Sequence, residues 1–214
     1  DIGSGLYATI GVQAALFHRQ LTGEATKVDI GMLDCQLALL ENAVMRYQVS
    51  GTAPGPLGAR HPSITPFEAY KTKDGYIIIS PGNDGLFAKL AEALENPGWA
   101  EDPDYSSNDN RNKHVEKLKI EMESVLTTHT TSHWIEVLDK FGVPSGPIND
   151  IGQAATHPQT IARNMIVSVD DPITGPMKVA GNPIKISGFE DPETRAPAPN
   201  LDQNREEILR ELTD

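Results

Sequence analysis

The distribution of apolar residues predicts a helical segment over residues 1–50. Residues 3–20 place apolar or small side chains on every side of a helical projection, a pattern typical of a buried helix. Gly23 is the expected C-terminal stop. A second helix is predicted over residues 29–48, where apolar side chains recur at spacings of four and three: Leu33, Leu37, Leu40, Val44 and Tyr47.

The pattern changes after residue 50. Residues 50–66 contain four prolines and three glycines without helical periodicity, so we interpret residues 51–66 as a linker. Residues 67–72 and 76–80 then indicate two strands joined by a two-residue turn at Asp74 and Gly75. Periodic helical patterns follow near residues 87–94, with Asn83 or Asp84 as the cap, near 115–125, and from Thr131 to a stop at Gly142.

The remaining residues predict a rigid turn over 143–147 and a short helical segment over 157–164. Strands are expected at 165–169 and 177–180, and a last helix carries Ile208, Leu209 and Leu212. We therefore expect a small α+β domain over residues 67–170, and a return segment with a C-terminal helix over 171–214.

Charge and composition exclude several classes of partner. The 214 residues include 30 acidic and 18 basic side chains, which gives a net charge of −12 and a pI of about 4.9. Nucleic acid and an anionic membrane surface are disfavoured, because no concentrated basic face is present. No apolar run reaches the roughly 20 residues that span a bilayer. We also expect a longer polypeptide, since the chain opens at Asp1 without a methionine or a leader.

Asp1 is the first candidate for chemistry. It precedes a helix, where free backbone N–H groups and the positive helix end would hold its carboxylate. An ionised carboxylate can attack an acyl carbon and divide one difficult transfer into two easier ones. The alternative is a simple helix cap, and aspartate is among the commonest residues in that role.

The other candidate residues have simpler interpretations. His129 and His133 are four residues apart but lack a third ligand, which favours solvent-facing side chains and predicts no metal site. The single cysteine, Cys35, excludes an internal disulfide, fits a reducing compartment such as the cytoplasm, and falls among apolar residues as a buried inert thiol. His61 and its neighbours could meet an anionic ligand or solvent. The loop at 81–85 could bind a ligand or serve only as a capped turn.

Taken in order, the motifs resemble the class III coenzyme A transferases, the family that also contains the α-methylacyl-CoA racemases. The residues that carry this resemblance are DIGSGLYA at 1–8, AAL at 14–16, Arg19, TG at 22–23, VD at 28–29, MLD at 32–34, SG at 50–51, GARHPSITPF at 58–67, TKDGYI at 72–77, GND at 82–84, Phe87, GVPSGPIN at 142–149 and HPQ at 157–159. The resemblance extends from the first residue to about residue 212.

The resemblance implies an α/β fold: the C-terminal portion of the transferase, with large-domain helices over residues 1–50 followed by the small α+β domain and the extended return. It implies that Asp1 is the nucleophile, which forms an aspartyl anhydride and then an aspartyl-CoA thioester. His61, Asn83 and Asp84 are assigned to the substrate pocket. Acyl-CoA and a small carboxylic acid are the implied substrates, without a permanently bound cofactor, in an interlocked homodimer.

Two alternatives to CoA transfer remain. The first is racemisation of an α-methylacyl-CoA, which needs an acid–base pair of which Asp1 could provide one member. The second is a non-catalytic assembly module that pairs through the apolar first helix. The sequence departs from the family at residues 24–26 and 202–204, and it has no counterpart of the N-terminal CoA-binding half.

Overall fold

The computed structural model describes residues 1–212, so that Thr213 and Asp214 lie outside the described residues. The chain divides into two compact units, Asp1–Arg60 and His61–Asp214. The division falls within the segment predicted as a linker, while the bounds of the four segments given above remain predictions.

Unit 1 consists of three helices: α1 (Ile2–Thr22), α2 (Met32–Leu39) and α3 (Glu41–Ser50). The first helix is confirmed, and it ends at Gly23, whose φ of 78° is readily adopted by glycine. The single helix predicted over 29–48 is wrong. The Leu40 amide bonds to the Leu37 carbonyl at 3.1 Å, and this tightened turn separates α2 from α3.

The predicted burial of α1 is also wrong, because none of its residues is buried. Ile2 is 83% exposed and Leu21 is 71% exposed. Within unit 1, α2 packs against the glycine positions of α1: a Cβ on Gly3 would lie 3.0 Å from the side chains of Gln36 and Leu39. One neighbouring helix covers only part of an all-round apolar surface. Cys35 is 6% exposed, which confirms the predicted buried thiol.

The first sheet of unit 2 contains β1 (Glu68–Lys71), β2 (Tyr76–Ile79) and β3 (Ser145–Pro147), antiparallel in that order. The two predicted strands are confirmed, but the turn between them is displaced by one residue. The Thr72 amide bonds to the Gly75 carbonyl at 2.9 Å, so Lys73 and Asp74 are the two turn residues. The segment predicted as a rigid turn over 143–147 supplies the third strand.

Four helices accompany this sheet: α4 (Asp84–Ala93), α5 (Asn108–Lys113), α6 (Val115–Leu126) and α7 (Thr131–Phe141), with a 3₁₀ turn at Pro97–Ala100. The three predicted helices are confirmed, and Gly142 ends α7 with a φ of 67°. Helix α5 was not predicted, because its six residues are all polar. The core between the sheet and these helices includes Tyr70, Ile77, Ile79, Phe87, Leu90, Leu94, Leu118, Met122, Leu126, Trp134, Leu138 and Val143.

The rest of unit 2 contains α8 (Ile151–Thr156), α9 (Pro158–Ala162), β4 (Ile166–Asp171), β5 (Gly175–Ala180), β6 (Thr194–Arg195) and α10 (Arg205–Glu211). The predicted pair of strands is confirmed as β4 and β5, which are antiparallel, and β6 joins β4 in parallel. The last helix is confirmed as well. Among residues 1–212, no helix is both long and apolar enough to cross a bilayer.

Asp74 joins the β1–β2 turn to the start of α7, and it supports a prediction about stability. Its carboxylate accepts hydrogen bonds from the Thr131 amide (2.8 Å) and hydroxyl (3.0 Å). The Thr131 backbone N–H, the largest cause, lowers the pKa of Asp74 below its ordinary value. A lowered folded-state pKa contributes stability above the unfolded pKa of about 3.9, and this contribution is lost as pH falls through the folded value.

We therefore expect Asp74→Ala to lower the urea midpoint of unit 2 at pH 7, and the difference from wild type to shrink below pH 4. Both tryptophans, Trp99 and Trp134, lie in unit 2, so tryptophan fluorescence reports its unfolding. Asp170→Ala, at an exposed position of β4, is the control and should change the midpoint little. A deficit in Asp74→Ala that is equal at pH 7 and pH 2.5 would contradict this assignment.

Candidate active site

Asp1 occupies the N-cap of α1 in unit 1 and is exposed. Its carbonyl accepts the Gly5 amide at 2.8 Å, which begins the helix. The expectation that backbone N–H groups hold the carboxylate is wrong, since the side chain makes no capping hydrogen bond. The carboxylate therefore remains available at the positive end of a 21-residue helix.

The first turn of α1 has an open polar side beside Asp1. The amides of Ile2, Gly3 and Ser4 have no partners within the helix, as at any helix N-terminus. Ser4 adds a buried Oγ without a hydrogen-bond partner, and a Cβ on Gly5 would meet nothing within 4 Å. Unpaired donors beside a carboxylate could stabilise negative charge that develops on an attacked carbonyl oxygen.

In unit 2, His61 is held in one orientation by its own loop. Its Nδ1 accepts hydrogen bonds from the amides of Ser63 (3.2 Å) and Ile64 (3.1 Å). The ring stacks on Phe67, with 5.1 Å between centroids and 16° between planes. Because Nδ1 acts as an acceptor, a neutral ring carries its proton on Nε2. His61 therefore offers Nε2–H as a hydrogen-bond donor.

Asn83 and Asp84 lie at the start of α4. The Asn83 Oδ1 accepts the Leu86 amide at 2.9 Å, so Asn83 is the cap of this helix, as predicted for Asn83 or Asp84. This bond leaves the Nδ2 donors of Asn83 for other partners. Asp84 follows as the first helical residue, and its side chain is 60% exposed.

Arg111, on α5, connects Asp84 to the loop that carries His61. Its Nη2 donates to Asp84 Oδ1 at 2.6 Å, and its Nε donates to the Thr65 carbonyl at 2.6 Å. The structure therefore links three of the residues assigned to the pocket: Asn83 and Asp84 are adjacent, and Arg111 joins them to the His61 loop. Asp1 belongs to the other compact unit.

Sequence reasoning missed Arg111, together with Asn108 and Asn112 on the same helix. Asn108 Oδ1 accepts the Thr65 amide at 3.0 Å, and Asn112 Oδ1 accepts the Thr65 hydroxyl at 2.6 Å. The segment from Asn108 to Lys113 is entirely polar, as a solvated surface would be. A buried arginine inside a polar run has no periodic signature that could have identified it.

The two histidines that were considered as metal ligands lie side by side. His129 and His133 are exposed, as predicted, and their rings stack with centroids 4.2 Å apart. Across residues 1–212, no group of three or more metal-ligating side chains lies close enough to hold an ion.

Comparison with known proteins identifies the class to which this fold and these residues belong. The profile of CoA-transferase family III matches residues 1–205. The chain belongs to this family.

Its relatives include an acetyl-CoA:oxalate CoA-transferase from Acetobacter aceti, which is 37% identical over 99% of this chain and 53% of the relative. A human succinyl-CoA:glutarate CoA-transferase is 31% identical over 99% of this chain and 48% of the relative. The crystal structure of a CAIB/BAIF family protein from Brucella suis shares the mixed α/β fold with a TM-score of 0.76 and 33% identity, covering 98% of this chain and 54% of that one. The chain thus spans about half the length of these relatives.

The cap at Asn83 generates a prediction for the stability of unit 2. Asn83→Ala removes the acceptor for the Leu86 amide and should destabilise unit 2 by about 1 kcal/mol. Asn83→Ser keeps a hydroxyl acceptor and should remain close to wild type. Urea unfolding followed by tryptophan fluorescence measures both variants. Equal loss in Ala and Ser, or no loss in Ala, would show that the side chain does not stabilise α4.

Proposed function

We propose that this chain works as the C-terminal half of an enzyme that transfers coenzyme A from an acyl-CoA to a small carboxylic acid, with Asp1 as the nucleophile. The observation that carries this proposal is the family match over residues 1–205. The position of Asp1 at the N-cap of a long helix, with a carboxylate that makes no capping hydrogen bond, supports its assignment as the nucleophile. Acyl-CoA is a substrate here, and no permanently bound cofactor is required.

In the proposed reaction, a carboxylate oxygen of Asp1 attacks the thioester carbon of the acyl-CoA. The C–S bond breaks, CoA leaves as a thiolate, and a mixed anhydride forms. The thiolate then attacks the aspartyl carbonyl. The donor acid departs as a carboxylate, and an aspartyl-CoA thioester remains.

The second half of the reaction reverses these steps with the acceptor. Its carboxylate attacks the aspartyl thioester, which gives a new mixed anhydride and the thiolate. The thiolate attacks the acceptor's acyl carbon, so that the new CoA ester is released and the Asp1 carboxylate is regenerated. The cycle balances without a net proton or electron. Each attack places negative charge on a carbonyl oxygen, which the unpaired amides at the start of α1 are suited to receive.

We assign the acceptor side of the pocket to His61, Asn83 and Asp84. His61 presents a fixed Nε2–H, and Asn83 retains its Nδ2 donors, both of which suit an anionic carboxylate. The names of the relatives give oxalate and glutarate as acids, so short dicarboxylates are the first acceptors to test. The net charge of −12 and the single cysteine support a cytoplasmic protein that binds neither nucleic acid nor a membrane.

In the complete polypeptide that contains these residues, Asp1→Ala should lower kcat for CoA transfer by roughly three orders of magnitude or more, because the covalent route is lost. Glu24→Gln, an exposed acidic residue after α1, is the matched control and should retain normal turnover. The assay follows CoA transfer from succinyl-CoA or acetyl-CoA to oxalate and glutarate by chromatography. With ¹⁸O-labelled acceptor, label should appear in the Asp1 carboxylate of the wild type.

Normal turnover in Asp1→Ala would overturn the proposed nucleophile. The racemase alternative has its own signature, because abstraction of the proton α to the thioester exchanges it with solvent. Incubation with a 2-methylacyl-CoA in deuterated water, without an acceptor acid, should leave the α-carbon unlabelled. Deuterium at that carbon would favour racemisation over transfer.

We further propose that the complete enzyme is a homodimer. The apolar side chains of α1–α3 support this proposal, because large residues such as Leu33 (79% exposed) are uncovered within the chain. Contiguous apolar surface of this kind is typical of an interface. On their own, residues 1–214 would pair through this same surface and would form a non-catalytic module.

Sedimentation equilibrium should show a dimer for the complete polypeptide, and association of the isolated chain at micromolar concentration. Leu33→Asp introduces a charge into the apolar surface and should weaken association by at least tenfold. Lys89→Asp, on the exposed side of α4, should leave it unchanged. A monomeric complete polypeptide, or equal association in both variants, would contradict the proposed interface.

A further inference from the structure

Arg111 is the most deeply buried charged side chain near the candidate pocket, and burial of a charged group costs free energy. Only 1% of its surface is exposed. Removing a guanidinium from water is unfavourable unless its donors are satisfied. Here Nε donates to the Thr65 carbonyl at 2.6 Å, Nη1 to the Tyr105 carbonyl at 2.8 Å, and Nη2 to Asp84 at 2.6 Å.

The ring of Phe87 makes a further contact with this guanidinium. Arg111 Cζ lies 4.3 Å from the Phe87 ring centroid, at a distance where a cation is attracted to an aromatic face. Phe87 is itself buried and lies one turn after Asp84 on α4. The guanidinium therefore contacts α4 at two points and cannot rotate without losing bonds on both.

The Thr65 end of this network continues into the His61 loop. Asn108 and Asn112 bond the amide and hydroxyl of Thr65, and their Nδ2 groups both donate to the Ser63 carbonyl, at 2.8 and 3.0 Å. The amides of Ser63 and Ile64 in turn hold Nδ1 of His61. Helix α5 thus binds the loop through three side chains, of which only Arg111 also reaches α4.

We propose that Arg111 is a positioning residue for the candidate acceptor pocket: its buried guanidinium holds the His61 loop and the Asp84 carboxylate in one fixed arrangement. The statement that this pocket binds the acceptor rests on the proposed function. The statement that Arg111 holds the two segments together rests on its hydrogen bonds. His61 and Asp84 are 23 positions apart in sequence, and Arg111 connects them through one side chain. It has no need to touch a substrate to do so.

Arg111→Lys is the sharpest variant, since it keeps the charge but removes the planar set of donors. Leu138→Ala on α7 is the matched control, because it removes a fully buried core side chain of unit 2 that is outside this network. Asn112→Ala, at a partly exposed position, is the milder variant if Arg111→Lys does not fold. Hydrogen exchange of peptides 61–67 and 83–88 and kcat/KM of the complete polypeptide are the two measurements.

Arg111→Lys should raise exchange at least tenfold in both peptides together and should lower kcat/KM at least tenfold below its melting temperature. Asn112→Ala should raise exchange severalfold in 61–67 and leave 83–88 unchanged. Leu138→Ala should lower the melting temperature without changing kcat/KM or either peptide selectively. In the double variant with Arg111→Lys and Asp84→Asn, kcat/KM should fall by a smaller factor than the product of the factors measured for the two single variants. The reason is that both substitutions disrupt the same contact.

Unchanged hydrogen exchange in both peptides of Arg111→Lys would overturn the proposal. It would also be overturned if Leu138→Ala lowered kcat/KM and raised exchange in these peptides as much as Arg111→Lys does. If Arg111→Lys fails to fold, unchanged exchange of peptide 61–67 in Asn112→Ala overturns it. Absence of CoA transfer in the wild type would refute the proposed function instead. The exchange data alone would then decide whether Arg111 orders the two segments.

Discussion

The buried guanidinium of Arg111 is the constraint on which the rest of the candidate pocket depends. A charge that is taken out of water must be fully bonded, and its three acceptors come from three different segments: the loop after His61, the residue Tyr105 before α5, and the start of α4. Because each acceptor satisfies a different N–H of the same group, displacement of one segment leaves a buried donor without a partner. The cost of that unpaired donor favours one arrangement of the three segments.

The two units use different means to hold their elements. In unit 2, the sheet and α4, α6 and α7 enclose a continuous core, with Arg111 at one edge of it. In unit 1, glycines let neighbouring segments approach the backbone of α1 closely. Gly3 lets α2 pack onto α1, and Gly11 lets Val28 pack onto it, since a Cβ on Gly11 would lie 2.8 Å from Val28 Cγ1. The first arrangement encloses a hydrophobic core, whereas in the second Cys35 is the one buried apolar residue among residues 1–60.

Much of the fold was predictable, because apolar periodicity marks elements that bury one face. The helices around Phe87, Leu118 and Trp134 and the strands around Ile77 were predicted for this reason. The pattern could not reveal the break at Leu40, where the apolar spacing continues through a change in backbone geometry, or α5, whose residues are all polar. The candidate site was assigned through motifs alone: His61 and Asp84 were assigned by resemblance and remain predictions, while Arg111, which joins them, carries no local signal.

The isolation of Cys35 in unit 1 has a practical consequence. The chain's single thiol is that of Cys35, a buried residue of α2, while both indole side chains lie in unit 2. Each unit therefore contains its own intrinsic reporter. The rate at which a maleimide labels Cys35 follows the opening of unit 1, and indole emission follows the unfolding of unit 2. The order in which the two units unfold can therefore be measured on the wild-type sequence, without an engineered residue.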